Sequence, residues 1–262
     1  MRYLACIVLF SWALVVAAAD TTATRELEAA WRAAVDLDGE VIALQAGDDT
    51  AVAIHRRPAD NDSLGGVVLI HGPGTNADSH AVVRPLRIGL ADAGWDTLSI
   101  QLPAAYDDAT SADWHAQAPM IEARLGAALD WLRQRGVDRS VAIGVGESGR
   151  IALRFATSRP ADQLVAVIMV GSPARFDSDE EREALGGLAR PLLDLYAERD
   201  RADVLDNLQR RATAVRDAKL EGYTQRAVAG ATADFRGLDD ALLGSVRAWL
   251  QKHAVATDAA NP

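Results

Sequence analysis

The chain has 262 residues, of which 49% are hydrophobic, 24% are charged and 5% are aromatic. This composition excludes a disordered chain, a collagen-like fibre and a multi-span membrane protein. The formal net charge is −10, which repels phosphate backbones, so we expect no nucleic-acid partner.

The first 19 residues have the layout of a secretory signal peptide. Arg2 supplies a positive charge, an apolar run extends from Leu4 to Val16, and Ala17–Ala19 offers small residues just before Asp20. The apolar run is too short to span a bilayer comfortably, which favours cleavage over the alternative, an uncleaved N-terminal anchor. We therefore expect a periplasmic or secreted chain that begins at Asp20 and does not span a membrane.

The only cysteine, Cys6, lies inside this segment, so the mature chain would contain no thiol. It could form neither a disulfide nor a thiolate metal site. The sequence also lacks an H-E-x-x-H motif, a calcium-loop pattern and a Cys/His cluster. We expect no metal and no cofactor.

Hydrophobic patterning predicts strands that alternate with helices, after a short amphipathic helix over residues 25–36. An opening hairpin is predicted at residues 40–45 and 50–55. Further strands are predicted at 67–70, 97–102, 141–145, 164–170, 191–196 and 223–228. Helices are predicted at 81–93, 119–135, 150–157, 202–217 and 239–252, and a polar stretch follows the strand at 164–170 up to Ala189.

This alternation is typical of the α/β class. It predicts a mostly parallel central sheet with helices on both faces, and the hairpin adds antiparallel strands at its N-terminal edge. No repeat or long linker divides the chain. We expect a single domain over residues 20–253 and a disordered tail over residues 254–262.

Two glycine-rich loops follow predicted strands, where open α/β sheets bind ligands. The first is His71-Gly72-Pro73-Gly74, and the second is the run GVGESG at residues 144–149. The second loop matches the dinucleotide-binding pattern G-x-G-x-x-G. That pattern belongs on the first strand of its unit, with an acidic residue after the next strand, whereas the strand at 164–170 ends in Gly-Ser-Pro. A nucleotide-dependent enzyme is the least favoured function.

The segment Val67–Gly72, the stretch Gly94–Pro103 and the glycine-rich loop 144–149 resemble the α/β-hydrolase superfamily. Together with the turn Gly230–Phe235, they are similar, more narrowly, to a bacterial family of exported, hydrolase-like proteins of unknown function. The resemblance implies the α/β-hydrolase fold, with a nucleophile elbow at residues 144–150.

It also implies an oxyanion-type loop, to which His71, Gly72 and Gly74 would contribute together with the backbone of Glu147.

Two residues compete for the apex of the elbow. If Ser148 were the nucleophile, the motif would end in Arg150, where the sharp turn requires a small residue. If Gly146 stands at the apex, Gly144 precedes it by two positions and small residues follow at the second and third positions. We favour Gly146, which cannot attack a substrate.

The other members of a catalytic triad are incomplete. The resemblance places the histidine base in residues 230–235, at the position of Ala233. His115 could reach a cleft from its predicted loop, but a surface role is favoured. The strand-end acid corresponds to Asp200, for which we favour an N-cap on the helix that starts near Ala202.

These observations predict a pseudoenzyme with a non-catalytic binding or scaffolding role and a small anionic or carbonyl ligand in the cleft. The alternative is a serine carboxyl-ester hydrolase with Ser148 as nucleophile and Asp200 as the acid. The sequence identifies no protein partner.

Overall fold

The structure, a computed structural model, describes residues 37–60, 62–102 and 111–255. The predicted signal peptide and the predicted helix over 25–36 lie outside the described residues. So do the last seven residues of the predicted tail, 256–262.

Eight strands of the described chain form one sheet in the spatial order β1-β2-β4-β3-β5-β6-β7-β8. Their bounds are β1 Glu40–Ala46, β2 Asp49–Arg56, β3 Gly66–Ile70, β4 Asp96–Ile100, β5 Ser140–Val145, β6 Leu164–Val170, β7 Leu192–Arg199 and β8 Tyr223–Thr232. The β1–β2 and β2–β4 pairs are antiparallel, and the other pairs are parallel. The predicted α/β class, the central position of β5 and the antiparallel edge hairpin are confirmed.

Helices cover both faces of this sheet. Their bounds are α1 Val83–Asp92, α2 Ser111–Ala116, α3 Ala118–Arg133, α4 Ser148–Thr157, α5 Asp179–Gly187, α6 Ala202–Leu205, α7 Leu208–Asp217 and α8 Asp239–His253. One apolar cluster joins the sheet to α2, α3, α4, α5 and α7, and a second joins it to α1 and α8. The central strands are apolar throughout because they are buried on both faces.

The polar stretch up to Ala189 contains the helix α5, which the hydrophobic pattern does not predict. Ser178 and Glu181 form a capping box: each side chain accepts a hydrogen bond from the other residue's backbone N–H. Three acidic residues fill the first turn, where the helix dipole stabilises negative charge. Capping and dipole effects therefore produce a helix where the hydrophobic pattern indicates none.

The helix predicted over 202–217 is divided into two, since α6 ends at Leu205 and α7 begins at Leu208. The side-chain amide of Asn207, in the break, donates to the carbonyls of Asp203 at 2.7 Å and Pro173 at 3.3 Å. The bond to Pro173 connects the break to the loop after β6.

The ordered chain continues past α8. Ala254, predicted to begin the tail, is buried, and its backbone N–H donates to the carbonyl of Leu250 at 2.8 Å. Val255 packs against the same apolar cluster as α8. The described C-terminus is therefore part of the core.

Candidate functional site

The turn between β5 and α4 is a sharp strand–turn–helix connection at the centre of the sheet. Gly146 lies in it with φ = +59°, a left-handed conformation that favours glycine. Its N–H donates to the carbonyl of Val170 at 2.9 Å, and its carbonyl accepts from the N–H of Gly149 at 3.1 Å. The turn is thus held to β6 on one side and to the first turn of α4 on the other.

Space around this turn differs sharply from one glycine to the next. A Cβ at Gly144 would lie 2.5 Å from the carbonyl oxygen of Ser148, which no side chain tolerates. A Cβ at Gly149 would lie 3.1 Å from the side chain of Met169. At Gly146 a Cβ would meet nothing within 4 Å. The position with room for a nucleophilic side chain therefore carries none.

Ser148 is fully buried under this turn, at 0% exposure. Its hydroxyl donates to the carbonyl of His71 at 2.6 Å and accepts from the indole N–H of Trp114 at 3.2 Å. A serine hydroxyl has a single proton to donate, and here it is given to a carbonyl. The hydroxyl therefore joins the loop after β3 to α2.

The loop after β3 is held by the ring of His71. Nδ1 lies 2.9 Å from the carbonyl of Gly72, and Nε2 lies 2.9 Å from the backbone N–H of Leu102. Nε2 must accept from that N–H, which assigns the proton to Nδ1. Burial lowers the pKa of His71 to about 4, so the ring is neutral at pH 7. His71 is a structural link between β3 and β4.

The glycines of this loop lie against the elbow. A Cβ at Gly72 would lie 3.1 Å from the carbonyl oxygen of Val145, so the two loops approach each other closely. Gly74 has φ = +70°. The backbone of Glu147, the fourth member of the predicted oxyanion-type loop, follows Gly146 directly.

An ion pair lies beside the elbow, and no pattern in the sequence links His115 to it. Nε2 of His115 lies 3.2 Å from Oε2 of Glu147, and a guanidinium nitrogen of Arg150 lies 3.5 Å from the same oxygen. His115 is on α2, not in a loop, and its side chain is 32% exposed. His115 is thus a partly exposed residue whose ring lies beside the elbow, because α2 packs against the start of α4.

Asp200 lies at the carboxyl end of β7 and is buried. Its two carboxylate oxygens accept from the backbone N–H groups of Ala197 and Arg201, both at 2.9 Å. The N-cap residue of α6 is Arg201, so the predicted N-cap role of Asp200 is wrong. The carboxylate instead closes the turn after β7, where the chain leaves the sheet.

The segment that should carry a histidine base follows β8. Ala233 stands there between Thr232, whose hydroxyl donates to Asp234 at 2.7 Å, and Asp234 itself. That hydrogen bond holds the pKa of the Asp234 carboxyl below its usual range. The turn is therefore built from local hydrogen bonds of small polar residues.

Among residues 37–60, 62–102 and 111–255, no three histidine, cysteine or acidic side chains are placed to hold a metal ion. None of the helices in that part of the chain is long and apolar enough to cross a bilayer.

Several solved structures are similar to this chain. A dienelactone hydrolase from Anabaena variabilis is 20% identical with a TM-score of 0.66, and the alignment covers 82% of this chain and 98% of that one. A putative dienelactone hydrolase from Klebsiella pneumoniae is 19% identical with a TM-score of 0.67, with the same coverage of 82% and 98%. Est1E from Butyrivibrio proteoclasticus is 14% identical with a TM-score of 0.63, again covering 82% and 98%.

These similarities show the α/β-hydrolase fold. No curated protein matches the chain. A family model described as a protein of unknown function (DUF3530) matches residues 5–118 and 104–252, which together span most of the sequence. The chain belongs to the DUF3530 family.

Proposed function

We propose that this protein is a catalytically inactive member of the α/β-hydrolase fold that binds a ligand or scaffolds a partner through the cleft at its elbow. The observation that carries the proposal is Gly146. Its left-handed backbone and the open space at its Cβ support Gly146 as the nucleophile position of the elbow, where glycine would supply no nucleophile.

The missing base supports the same function. A serine nucleophile requires a base within about 2.6–3.2 Å that can take its proton. The partners of the Ser148 hydroxyl are a carbonyl, which is no base, and an indole N–H, which only donates. Ala233 stands where the superfamily resemblance expects the histidine.

What remains at the elbow suits binding. The start of α4 offers backbone N–H groups at a helix N-terminus, and the loop after β3 approaches the same turn at Gly72. Backbone N–H groups at such a position stabilise anions. We propose a small carboxylate or carbonyl compound as the ligand. Because residues 1–19 have the layout of a signal peptide, we further propose that the protein acts in the periplasm or outside the cell.

The competing candidate is a serine carboxyl-ester hydrolase that uses Ser148, since solved structures described as esterases share this fold. The test is labelling by a fluorophosphonate probe, together with hydrolysis of a p-nitrophenyl ester and an active serine esterase as positive control. We expect neither labelling nor activity above buffer. Labelling of the wild type that disappears in Ser148→Ala would overturn the proposal.

Export has a separate test. Mass spectrometry of the protein expressed with its full N-terminus should find a chain that begins at Asp20 in the periplasmic or secreted fraction. A membrane-bound form that retains Met1 would identify an anchor instead.

A further inference from the structure

A cavity of about 160 Å³ lies beside the elbow, between α2, α4 and α5. Its inner wall is apolar and consists of Ala118, Ile151, Leu153, Phe176 and Ala184. An apolar cavity of about 150 Å³ accommodates a benzene ring. The cavity therefore has room for a single ring or a branched aliphatic group of that size.

The rim of the cavity is charged, unlike its inner wall. It consists of His115, Arg150, Arg154, Glu180 and Glu181. Arg150 pairs with Glu181 through Nε and Oε1 at 2.9 Å, and Arg154 pairs with Glu180 at 2.6 Å. A ligand whose apolar part packs against the inner wall would place its polar end among these groups.

Two further carboxylates belong to the same network. Glu122 lies 2.6 Å from Nε of Arg154, and Glu147 lies near both Arg150 and His115. The two arginines stay charged at all physiological pH, and each of them lies between two carboxylates. With a neutral imidazole at His115 the network has two more negative than positive charges, and with a protonated imidazole it still has one more.

The pKa of Arg154 reflects the carboxylates that surround it. Burial lowers the pKa of its guanidinium, but hydrogen bonds to Glu180 and Glu122 outweigh burial and raise it above its ordinary value. Glu180 and Glu122 thus stabilise the positive charge of Arg154.

Phe176 adds an independent observation. Its backbone has φ = +56°, which is rare for a bulky residue, while its ring is buried against the cavity. Backbone strain of this kind concentrates at sites that clamp a ligand. The strained conformation keeps the aromatic ring in the cavity wall.

We propose that this cavity binds a small amphiphilic amine, with its apolar body against Phe176 and Ile151 and its ammonium group between the carboxylates of Glu180 and Glu181. A carboxylate of the same shape would bind less tightly, because the surplus negative charge of the network repels it. The site consists of side chains and stands apart from the backbone groups of the elbow, so its test and the test of the proposed function have independent outcomes.

The experiment is isothermal titration of the full-length mature protein at pH 7 with benzylamine, benzyl alcohol and benzoate. These probes share a ring and differ in the charge of the head group. We expect benzylamine to bind about fivefold more tightly than benzyl alcohol, the upper range for one solvent-accessible ion pair, and benzoate to bind least. Equal or tighter binding of benzoate, or no binding of benzylamine at millimolar concentration, would overturn the proposal.

Two variants locate the binding. Ala184→Leu fills the cavity and should weaken benzylamine binding at least tenfold, whereas the matched Ala241→Leu, on an exposed position of α8, should leave it unchanged. Glu180→Gln removes a carboxylate whose side chain is 65% exposed, so folding should be unaffected. It should weaken benzylamine binding about threefold to fivefold and leave benzyl alcohol unchanged. Wild-type benzylamine affinity in Glu180→Gln would refute the site even if Ala184→Leu failed to fold.

Discussion

The indole N–H of Trp114 donates to the hydroxyl of Ser148 across 3.2 Å, and both side chains are completely buried. The bond joins α2 to the first turn of α4, directly under the elbow. In this position the hydroxyl of Ser148 connects two structural elements.

Ser148→Ala should therefore destabilise the protein without removing an activity. The change leaves the indole N–H of Trp114 and the carbonyl of His71 without their buried partner, at a cost of about 1–3 kcal/mol in the free energy of unfolding. Urea denaturation measures it. The control is Ser158→Ala, at the exposed C-terminal end of α4, which should change the free energy by less than about 0.5 kcal/mol. Equal effects of the two substitutions would contradict the structural role of Ser148.

The glycines of the elbow should differ in what they tolerate. Gly144→Ala places a Cβ 2.5 Å from a backbone carbonyl and should cost about 3 kcal/mol or more. The Cβ added by Gly146→Ala meets open space, so only the left-handed backbone lowers the free energy of unfolding, by about 1–2 kcal/mol. Gly136→Ala, with φ = +83° and equally open surroundings at the end of α3, is the matched control for Gly146. Thermal or urea unfolding of the three variants tests this order, and a larger cost at Gly146 than at Gly144 would contradict the elbow geometry.

The buried ring of His71 should make stability depend on pH. The pKa of His71 is about 4 in the folded protein and about 6.5 in an unfolded chain, so between these values the unfolded state binds more protons. The stabilising contribution of the neutral ring is complete above pH 6.5 and is lost as the pH falls towards 4. Between pH 7.5 and pH 5 this loss amounts to about 2 kcal/mol.

The measurement is the free energy of unfolding of the wild type and of His71→Asn at both pH values. Other groups titrate in the same range and contribute equally to both proteins. The wild type should lose about 2 kcal/mol more than the variant. Parallel losses would show that the ring of His71 is not held neutral by burial.

A buried ion pair beneath α7 should matter more than an exposed one. Asp194 and Arg211 are both fully buried, with Nε and Oδ2 at 2.8 Å, and Tyr223 and Gln225 also donate to the same carboxylate, each at 2.9 Å. Asp194→Ala leaves the guanidinium of Arg211 buried without its counter-ion and should cost about 3–5 kcal/mol. Its effect is read from urea denaturation.

The matched control is Asp130→Ala. Asp130 pairs with Arg133 at 2.8 Å, but the two side chains are 56% and 49% exposed, and such pairs contribute about 1 kcal/mol at most. If Asp194→Ala cost no more than Asp130→Ala, the buried network would not anchor α7 as the structure indicates.

Several features of this protein follow from the sequence by itself. The apolar run Val67–Ile70 identifies a strand buried on both faces, because only a central parallel strand excludes polar residues from both sides. The glycines at residues 144, 146 and 149 predict a sharp turn, since residues without a Cβ are needed wherever the backbone makes a close approach. Local patterns of this kind are strong because a few neighbouring residues determine them.

Other features depend on residues that are far apart in the chain. Trp114 and Ser148 are 34 positions apart, and no spacing rule links His115 to Glu147. Their contacts exist because α2 packs against the start of α4. The helix α5 was missed because hydrogen bonds at its cap, and not an apolar stripe, define its start.

Sequence alone therefore determined the fold class and the residue types at the elbow, because burial and backbone geometry select them locally. Tertiary structure alone decided that the Ser148 hydroxyl is buried between Trp114 and His71, and that a cavity with a charged rim lies beside it. The physical reason is that the same local motif can contain a serine whose hydroxyl is an exposed nucleophile or a serine whose hydroxyl is a buried hydrogen-bonding group. Only the groups that pack against the hydroxyl distinguish the two.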